Sequence, residues 1–378
     1  MASPSRKQGA RKGEKVRVPF RRNRSGRARV KDWTQQARES GGHDLEGARS
    51  ENVAAKGEVS RQRTIIVSDP ETLPAGWRLG TVVAMRGLYA EVDDGERVRP
   101  CTVRRVLRTR LIQDRHPVTV GDRVHFTPES EVENAEAEGV IEAVEPRRGQ
   151  LRRRAGRRTQ TIVANVDQAV IVSSAADPSP RPNLIDRYIV ASLAGEITPV
   201  VCMNKIDLDV DGSAAVLLER YTGLGYTTVR TSVTTGEGID AFRAILKEKE
   251  SVIAGQSGVG KSSLLNVVQP GLELRTGEII EKFSKGRHTT TTATLIRLHV
   301  GGFVVDTPGV RSFDLSLIPR NEFEAYFVEF VTPLADCKFP DCTHTHETDC
   351  AIKAAVERGE IHPERYQSYV RLFEDPEA

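Results

Sequence analysis

A glycine-rich segment between residues 255 and 263 has the residue types that bind phosphate. It reads Gly255-Gln256-Ser257-Gly258-Val259-Gly260-Lys261-Ser262-Ser263 and contains the pattern G-x-x-x-x-G-K-S. An apolar run precedes it and a stretch with helical spacing follows, which is the strand–loop–helix setting that this motif needs. Successive backbone N–H groups at a helix N-terminus form a cradle for an anion. We expect the Lys261 amine to reach the β- and γ-phosphates of a nucleotide and the Ser262 hydroxyl to bind Mg²⁺.

A second motif, Asn204-Lys205-Ile206-Asp207, has the residue types that recognise guanine. It ends an apolar run, and open α/β sheets bind ligands at the carboxyl ends of their strands. The Asp207 carboxylate can accept two hydrogen bonds from guanine, whereas adenine offers no matching pair of donors. We expect Asn204 to brace neighbouring loops and the aliphatic stem of Lys205 to cover the base.

The dipeptide Ser232-Val233 ends the next predicted strand. A loop of small residues there can present a backbone N–H to the guanine O6 atom. An ordinary turn explains the dipeptide equally well.

A third motif, Asp306-Thr307-Pro308-Gly309, follows the apolar run 303–305. We expect Asp306 to hold Mg²⁺ through water and the N–H of Gly309 to sense the γ-phosphate. In the polar segment 286–291, Thr290 is favoured over Thr289 to complete the Mg²⁺ coordination.

Val310 stands where many small GTPases place a glutamine that orients the attacking water. Valine cannot orient water, so the sequence predicts slow intrinsic hydrolysis and a need for help from another group. His288 is the candidate by its position, although a structural or solvent-facing role fits a histidine there equally well.

The order of these motifs is reversed relative to ordinary GTPases. The guanine motif precedes the phosphate loop here, whereas ordinary GTPases place it downstream. If both motifs serve one nucleotide, the domain is circularly permuted. The sequence therefore predicts a permuted P-loop domain that binds GTP and GDP with Mg²⁺.

Four potential metal ligands lie within fourteen residues near the C-terminus: Cys337, Cys342, His344 and Cys350. Three thiolates and one imidazole satisfy a tetrahedral structural zinc site. His346 is the alternative to His344 as the fourth ligand. An odd total of five cysteines argues against a disulfide framework.

The first 63 residues carry a net charge of +10, whereas the rest of the chain carries −7. This segment is poor in large apolar residues, so we expect it to be disordered. A basic arm can hold RNA by releasing counterions, although a tail that only aids solubility has the same composition. The chain has no apolar run long enough for a membrane span or a signal sequence, so we expect a cytoplasmic protein.

Five short strand-like runs between residues 76 and 150 predict a small β-barrel, either an OB-fold or an SH3-like barrel. An arginine-rich run at 147–158 predicts a hinge that could line an RNA surface. Alternating strands and helices from residue 160 predict a doubly wound α/β sheet. The helical patterns near 322–330 and 351–357 predict a small helical metal domain. We expect the following domains: arm 1–70, barrel 71–150, permuted GTPase 151–318 and zinc domain 319–378.

Taken together, the motif order resembles the small ribosomal subunit-dependent GTPase A family (RsgA, also called YjeQ). The segments N-V-D-Q at 165–168, N-L-I-D-R-Y at 183–188 and G-D-R-V at 121–124 are also similar to that family's signatures. The resemblance covers about residue 76 to the C-terminus.

The resemblance implies an OB-fold, a permuted G domain and a C-terminal zinc domain. It also implies a role in late maturation of the 30S subunit, with 16S rRNA stimulating GTP hydrolysis. By motif match it implies that residues 204–207 and 255–263 bind the nucleotide. It also favours His344 over His346 as a zinc ligand. We expect a monomer and no DNA partner.

The sequence departs from the family pattern at two places. Val233 replaces the usual alanine of the guanine loop, and Ser312 and Asp314 stand where the family usually reads Glu-Phe-Gly. Two other functions compete with the GTPase hypothesis: an RNA-binding module with a decayed nucleotide site, and an ATP-using P-loop enzyme. Intact Lys261, Ser262, Asp207 and Asp306 argue against the first. Asp207, which sets the base preference, discriminates against the second.

Overall fold

The computed structural model describes the chain in segments. These are residues 14–19, 62–67, 74–104, 107, 117–128, 137–155, 158–271, 293–306 and 314–375. Among the described residues, no helix combines the length and the apolar composition that a bilayer crossing needs.

Two short strands pair within the N-terminal region: β1 (Glu14–Pro19) and β2 (Gln62–Val67). They run antiparallel, from Glu14 opposite Val67 to Pro19 opposite Gln62. Both sequences contain β-branched residues, which favour extended backbone. At these residues the structure differs from the disorder that we predicted for the arm.

A five-stranded closed barrel follows, with a core of fully buried side chains. Its strands are β3 (Arg78–Arg86), β4 (Tyr89–Asp93), β5 (Val98–Val103), β6 (Arg123–Pro128) and β7 (Gly139–Val144). They are ordered β3-β4-β5-β7-β6, with β5 parallel to β7 and β6 closing on β3. This Greek-key closure is the OB-fold arrangement, not the SH3-like alternative.

The arginine-rich run forms a β-hairpin where we predicted only a hinge. Strands β8 (Gln150–Ala155) and β9 (Arg158–Ala164) pair antiparallel. The buried side chains of Leu151 and Val163 pair across the hairpin and anchor it to the core of the next domain.

A six-stranded sheet forms the centre of that domain. Its strands are β10 (Gln168–Ser174), β11 (Thr198–Asn204), β12 (Thr227–Arg230), β13 (Lys249–Ala254), β14 (Thr294–Arg297) and β15 (Gly302–Asp306). They are ordered β12-β11-β10-β13-β15-β14, and all are parallel except β14. Every residue of β10 is buried, as a central strand covered on both faces requires.

Within the described residues, four helices connect these strands: α1 (Pro182–Ala194), α2 (Ser213–Gly223), α3 (Ile239–Leu246) and α4 (Lys261–Val268). Pro182 begins α1, where its fixed φ suits the first turn. Because β11 and β13 both flank β10, the guanine motif and the phosphate loop emerge at the same edge of the sheet.

The C-terminal region is helical. It contains three 3₁₀ helices (Leu315–Leu317, Arg320–Tyr326 and Val328–Phe330), followed by α5 (Val331–Leu334), α6 (Ala351–Glu357) and α7 (Pro363–Glu374). The pattern that we predicted as helical near 322–330 is 3₁₀ rather than α. This winding places Phe327 and Phe330, three residues apart, on one side, where both rings pack against Tyr369.

A buried ion-pair network joins this region to the central domain. Nη1 of Arg365, on α7, lies 2.6 Å from Oδ1 of Asp186, on α1. Its Nε and Nη2 atoms donate to the Glu329 carboxylate at 2.6 and 3.1 Å. The guanidinium also lies over the Phe327 ring, 4.7 Å from the centroid. Since the side chains of Arg365 and Asp186 are 1% and 0% exposed, solvent cannot replace either partner.

We predict that Arg365→Ala lowers the free energy of unfolding by about 3–5 kcal/mol, because two carboxylates lose their buried counter-charge. Urea unfolding followed by circular dichroism measures this change. The control is Arg371→Ala on the exposed face of the same helix. Similar losses in the two variants would contradict the prediction.

Candidate nucleotide and metal sites

One side chain joins the guanine motif to the phosphate loop. The Asn204 amide, at the end of β11, donates from Nδ2 to the Val259 carbonyl at 2.8 Å. Its Oδ1 accepts a hydrogen bond from the Thr231 hydroxyl at 3.0 Å. Asn204 and Thr231 are 2% and 0% exposed, so an unmade bond here would cost about 1–3 kcal/mol. Two motifs in reversed sequence order therefore meet at a single edge of the sheet.

The rest of the guanine motif turns outward. Lys205 adopts the left-handed conformation with φ of 57°, and its Nζ donates to the carbonyl of Asp177 in the loop after β10. Ile206 is half-buried, and its N–H donates to the Thr231 carbonyl at 3.1 Å. Asp207 is exposed in the 3₁₀ turn Ile206–Leu208. Its carboxylate is accessible to a ligand from solvent.

Ser232 and Val233 lie in a tight turn after β12. Ser232 is fully buried, and its hydroxyl accepts a hydrogen bond from the Thr235 N–H at 3.1 Å. The Ser232 N–H already donates to the Glu237 carbonyl at 2.9 Å. The N–H available to a base in this dipeptide is therefore that of Val233.

The phosphate loop depends on glycines at three places with positive φ: Gly255 at 142°, Gly258 at 86° and Gly260 at 92°. A Cβ atom at Gly255 would collide with the Val172 carbonyl, and one at Gly260 with Nδ2 of Asn204. Gln256 is half-buried, and Ser257 and Gly258 are exposed, so the loop faces solvent.

The Lys261 amine folds back over its own loop. Nζ donates to the Gly255 carbonyl at 2.9 Å and to the Gln256 carbonyl at 2.7 Å. Burial lowers the pKa of Lys261. Ser262 is 8% exposed in the first turn of α4, and Ser263 beside it is half-buried. The loop thus carries an ammonium group and a hydroxyl at the start of a helix, which together suit a polyphosphate with Mg²⁺.

Asp306 ends β15, the strand that pairs with the strand leading into the phosphate loop. Its backbone therefore reaches the same edge of the sheet as the loop. The predicted switch residues His288, Thr290 and Gly309 lie outside the described residues.

A second site lies in the C-terminal region. The ligand atoms of Cys337, Cys342, His344 and Cys350 all lie within 4.8 Å of one another. Nδ1 of His344 is 3.6 Å from Cys337 Sγ and 3.3 Å from Cys350 Sγ. Tetrahedral zinc with sulfur and nitrogen ligands requires separations of about 3.5 Å. The structure brings His344 to the cysteines, whereas the side chain of His346 is 80% exposed.

The cysteines need a cation to carry charge. Burial raises the pKa of Cys342 to about 12, with a contribution from the neighbouring Cys350. A thiolate there requires a positive partner, which a divalent metal supplies. The donor set and its spacing therefore fit zinc.

Sequence reasoning missed the residues that hold His344 in place. Nε2 of His344 lies 2.8 Å from Glu324 Oε2, so the ring can donate to the carboxylate while Nδ1 faces the sulfurs. The hydroxyls of Tyr366 and Tyr369 donate to the carbonyls of His344 and Thr343 at 2.8 and 3.0 Å. Such partners are distant in sequence and belong to no motif.

The sheet order, the phosphate loop and the guanine motif define a circularly permuted P-loop GTPase. Comparisons with known proteins agree. The RsgA GTPase family model matches residues 144–316. The chain belongs to the RsgA GTPase family and is a GTP-hydrolysing enzyme.

Three similar proteins illustrate the relationship. The small ribosomal subunit biogenesis GTPase RsgA of Chlorobaculum parvum is 42% identical over 304 residues, covering 78% of this chain and 97% of that protein. The crystal structure of YjeQ from Thermotoga maritima has a TM-score of 0.64 and 38% identity, covering 79% of this chain and 98% of that one. YloQ, a circularly permuted GTPase, has a TM-score of 0.62 and 30% identity, covering 82% and 97%.

We predict that Gly260→Ala weakens GDP binding by about 1–3 kcal/mol, or roughly 5- to 150-fold, because the new methyl group displaces the Asn204 amide. Calorimetric titration measures the affinity. Gly225→Ala is the matched control, since Gly225 also has positive φ, at 86°, but no atom lies within 4 Å of its Cβ position. Equal losses in both variants would show that the collision with Asn204 is irrelevant.

Proposed function

We propose that this GTPase binds the small (30S) ribosomal subunit, assists its late maturation and leaves it when GTP is hydrolysed. The observation that carries the nucleotide part is the Asn204–Val259 hydrogen bond, which brings the guanine motif and the phosphate loop together. The observation that supports the partner is the name of the similar proteins, small ribosomal subunit biogenesis GTPase.

The nucleotide contacts follow from the positions of the side chains. Asp207 accepts hydrogen bonds from guanine, the N–H of Val233 faces the O6 atom, and the Lys205 stem covers the base. Residues 255–263 cradle the phosphates, and the Lys261 amine exchanges its loop carbonyls for phosphate oxygens. This exchange keeps the half-buried ammonium paired before and after binding.

The hydroxyl of Ser262 and, through water, the carboxylate of Asp306 would hold Mg²⁺. When bound, it neutralises charge that develops on the transferred phosphoryl group. Thr290 would complete its coordination, the Gly309 N–H would sense the γ-phosphate, and His288 would assist the attacking water. These three assignments rest on the sequence.

The outer parts of the chain serve binding to rRNA. The OB-fold at 71–150 and the basic arm at 1–70 hold 16S rRNA, and the permuted GTPase at 151–318 reads the nucleotide. The domain at 319–378 binds one structural zinc through three cysteines and His344. We place the protein in the cytoplasm as a monomer, with no DNA or membrane partner.

The test of this function is GTP turnover by the full chain with and without purified 30S subunits. Alone, the protein should turn over slowly, because Val310 cannot orient water, and the 30S subunit should accelerate it on the order of tenfold or more. Lys261→Ala should abolish both rates, and 50S subunits should leave the slow rate unchanged. Equal turnover with and without 30S subunits would reject the proposal.

The zinc assignment predicts different fates for two neighbouring histidines. Removal of a ligand's hydrogen-bond partner weakens metal affinity by roughly 10- to 100-fold. His344→Ala removes the ligand itself, so its zinc affinity should fall by more than that, and its melting temperature should fall as well. His346→Ala should keep one zinc per chain, since that side chain is 80% exposed. Metal analysis by mass spectrometry after dialysis checks both.

Glu324→Gln extends this test without removing a ligand. The amide keeps a hydrogen-bond acceptor for His344, so zinc should stay bound with a moderately weaker affinity. Zinc retained by His344→Ala at full stoichiometry would refute the ligand set.

A further inference from the structure

The barrel contacts the nucleotide domain through the side chain of Arg297, the last residue of β14. Its Nη1 donates to both carboxylate oxygens of Asp93, at 3.2 and 3.3 Å, and to the Gly95 carbonyl at 3.2 Å. Asp93 ends β4, and its side chain is only 6% exposed. One guanidinium group is therefore hydrogen-bonded to two residues of the turn between β4 and β5.

That turn is internally braced. Asp93 Oδ1 accepts a hydrogen bond from the Gly95 N–H at 2.8 Å, and Asp94 accepts from the N–H of Arg97 and from the Arg99 guanidinium, at 2.9 and 2.8 Å. Burial opposes ionisation of Asp94, but these hydrogen bonds outweigh it and lower the pKa of Asp94 to about 2. The Asp94 carboxylate is charged at neutral pH and the turn is held by these hydrogen bonds, so a displacement of Arg297 acts on a turn that is fixed to β4 and β5.

The other side of Arg297 is bonded to the phosphate-loop helix. Gln269 follows the last residue of α4, whose first residue is Lys261. Its Nε2 donates to the Arg297 carbonyl at 3.2 Å, and its Oε1 accepts from the His299 N–H at 2.8 Å. Gln269 is 8% exposed, so it exchanges these bonds for water only with difficulty.

A second connection runs along the β14–β15 hairpin. At one end of this hairpin Thr294 pairs with Asp306, next to both predicted switch segments, and at the other end Arg297 pairs with Phe303. The hairpin and α4 thus converge on Arg297 from two parts of the nucleotide site, the predicted switch segments and the phosphate loop.

We propose that Arg297 is a positioning residue that couples the barrel to the nucleotide site, so that RNA held by the barrel accelerates GTP hydrolysis through α4 and the β14–β15 hairpin. This inference rests on the proposed binding of rRNA by the barrel. The coupling is reciprocal. The bound nucleotide changes the contact between Arg297 and the β4–β5 turn, and RNA bound to the barrel changes the nucleotide site.

The size of the effect follows from the exposure of the pair. The Arg297 side chain is 55% exposed, and solvent-exposed ion pairs are weak. Loss of the pair should therefore reduce the stimulation by 30S subunits by about two- to fivefold rather than abolish it. For the same reason, the contact can form and break during a cycle.

The first experiment compares GTP turnover with and without 30S subunits for wild type, Arg297→Ala and Arg297→Lys. The alanine variant should keep its unstimulated rate and its GDP affinity, and lose two- to fivefold in stimulation. The lysine variant should recover part of the stimulation, since its ammonium can still meet Asp93. Arg243→Ala, which removes another exposed pair on α3, should behave as wild type.

The second experiment needs no ribosomal particle. Hydrogen exchange of residues 93–98 is compared between GDP and a non-hydrolysable GTP analogue in the full chain. Wild type should show a nucleotide-dependent difference in this turn, and Arg297→Ala should not. The coupling through Arg297 is overturned if wild type exchanges at the same rate in this turn with GDP and with the analogue. It is also overturned if Arg297→Ala keeps the full difference between the two nucleotides.

The two experiments distinguish a failure of the proposed function from a failure of the role of Arg297. Wild type that 30S subunits do not stimulate would reject the proposed function, while the exchange experiment would still test Arg297. Wild type that is stimulated, together with an alanine variant that is stimulated equally, would reject the role of Arg297 and leave the proposed function standing.

Discussion

The hydrogen bond from the Asn204 amide to the Val259 carbonyl is the contact on which the nucleotide site depends. It closes the gap between β11 and the loop after β13, two strands separated in the sheet by β10. The Asn204 amide can approach the loop only because Gly260 has no Cβ atom. The asparagine of the guanine motif therefore requires a glycine at this position of the phosphate loop. The permutation leaves this contact intact, since it changes the order in which the strands are made and not which strands are neighbours.

The two appendages of the central domain are attached in different ways. The C-terminal region is joined through Arg365, whose charge is fully buried between two carboxylates and packed on an aromatic ring. The barrel is joined in part through Arg297, whose side chain remains half in water. Breaking the first contact removes the counter-charge from between two buried carboxylates, whereas breaking the second removes a half-exposed guanidinium from one carboxylate. The two guanidinium contacts therefore differ in burial, and the barrel is also joined by the Ala164 N–H, which donates to the Val120 carbonyl at 2.9 Å, and by the Asn165 amide, which donates to the Gly121 carbonyl at 2.8 Å.

The motifs were predictable because each is short and carries its own local setting. The phosphate loop lies between a strand and a helix, and the guanine motif follows a buried strand, so both could be placed from residue types alone. The β8–β9 hairpin was not predicted, because three consecutive arginines at 152–154 interrupt the alternation of apolar and polar residues that marks a strand. Arg365 gave no signal either, since its partners lie 36 and 179 residues away in the chain. Contacts of that kind are set by packing and leave no trace in a local pattern.

The position of Arg365 also constrains how the chain is made. Asp186 lies in the middle of the chain, yet its counter-charge belongs to the last helix before the C-terminus. During synthesis the central sheet can assemble early, because domains fold as units from the N-terminus. The Asp186 carboxylate meets its guanidinium partner only when translation is nearly complete. A nascent chain that stalls before α7 lacks Arg365 for Asp186 and the Tyr369 ring for Phe327, so it should be less stable than the full chain.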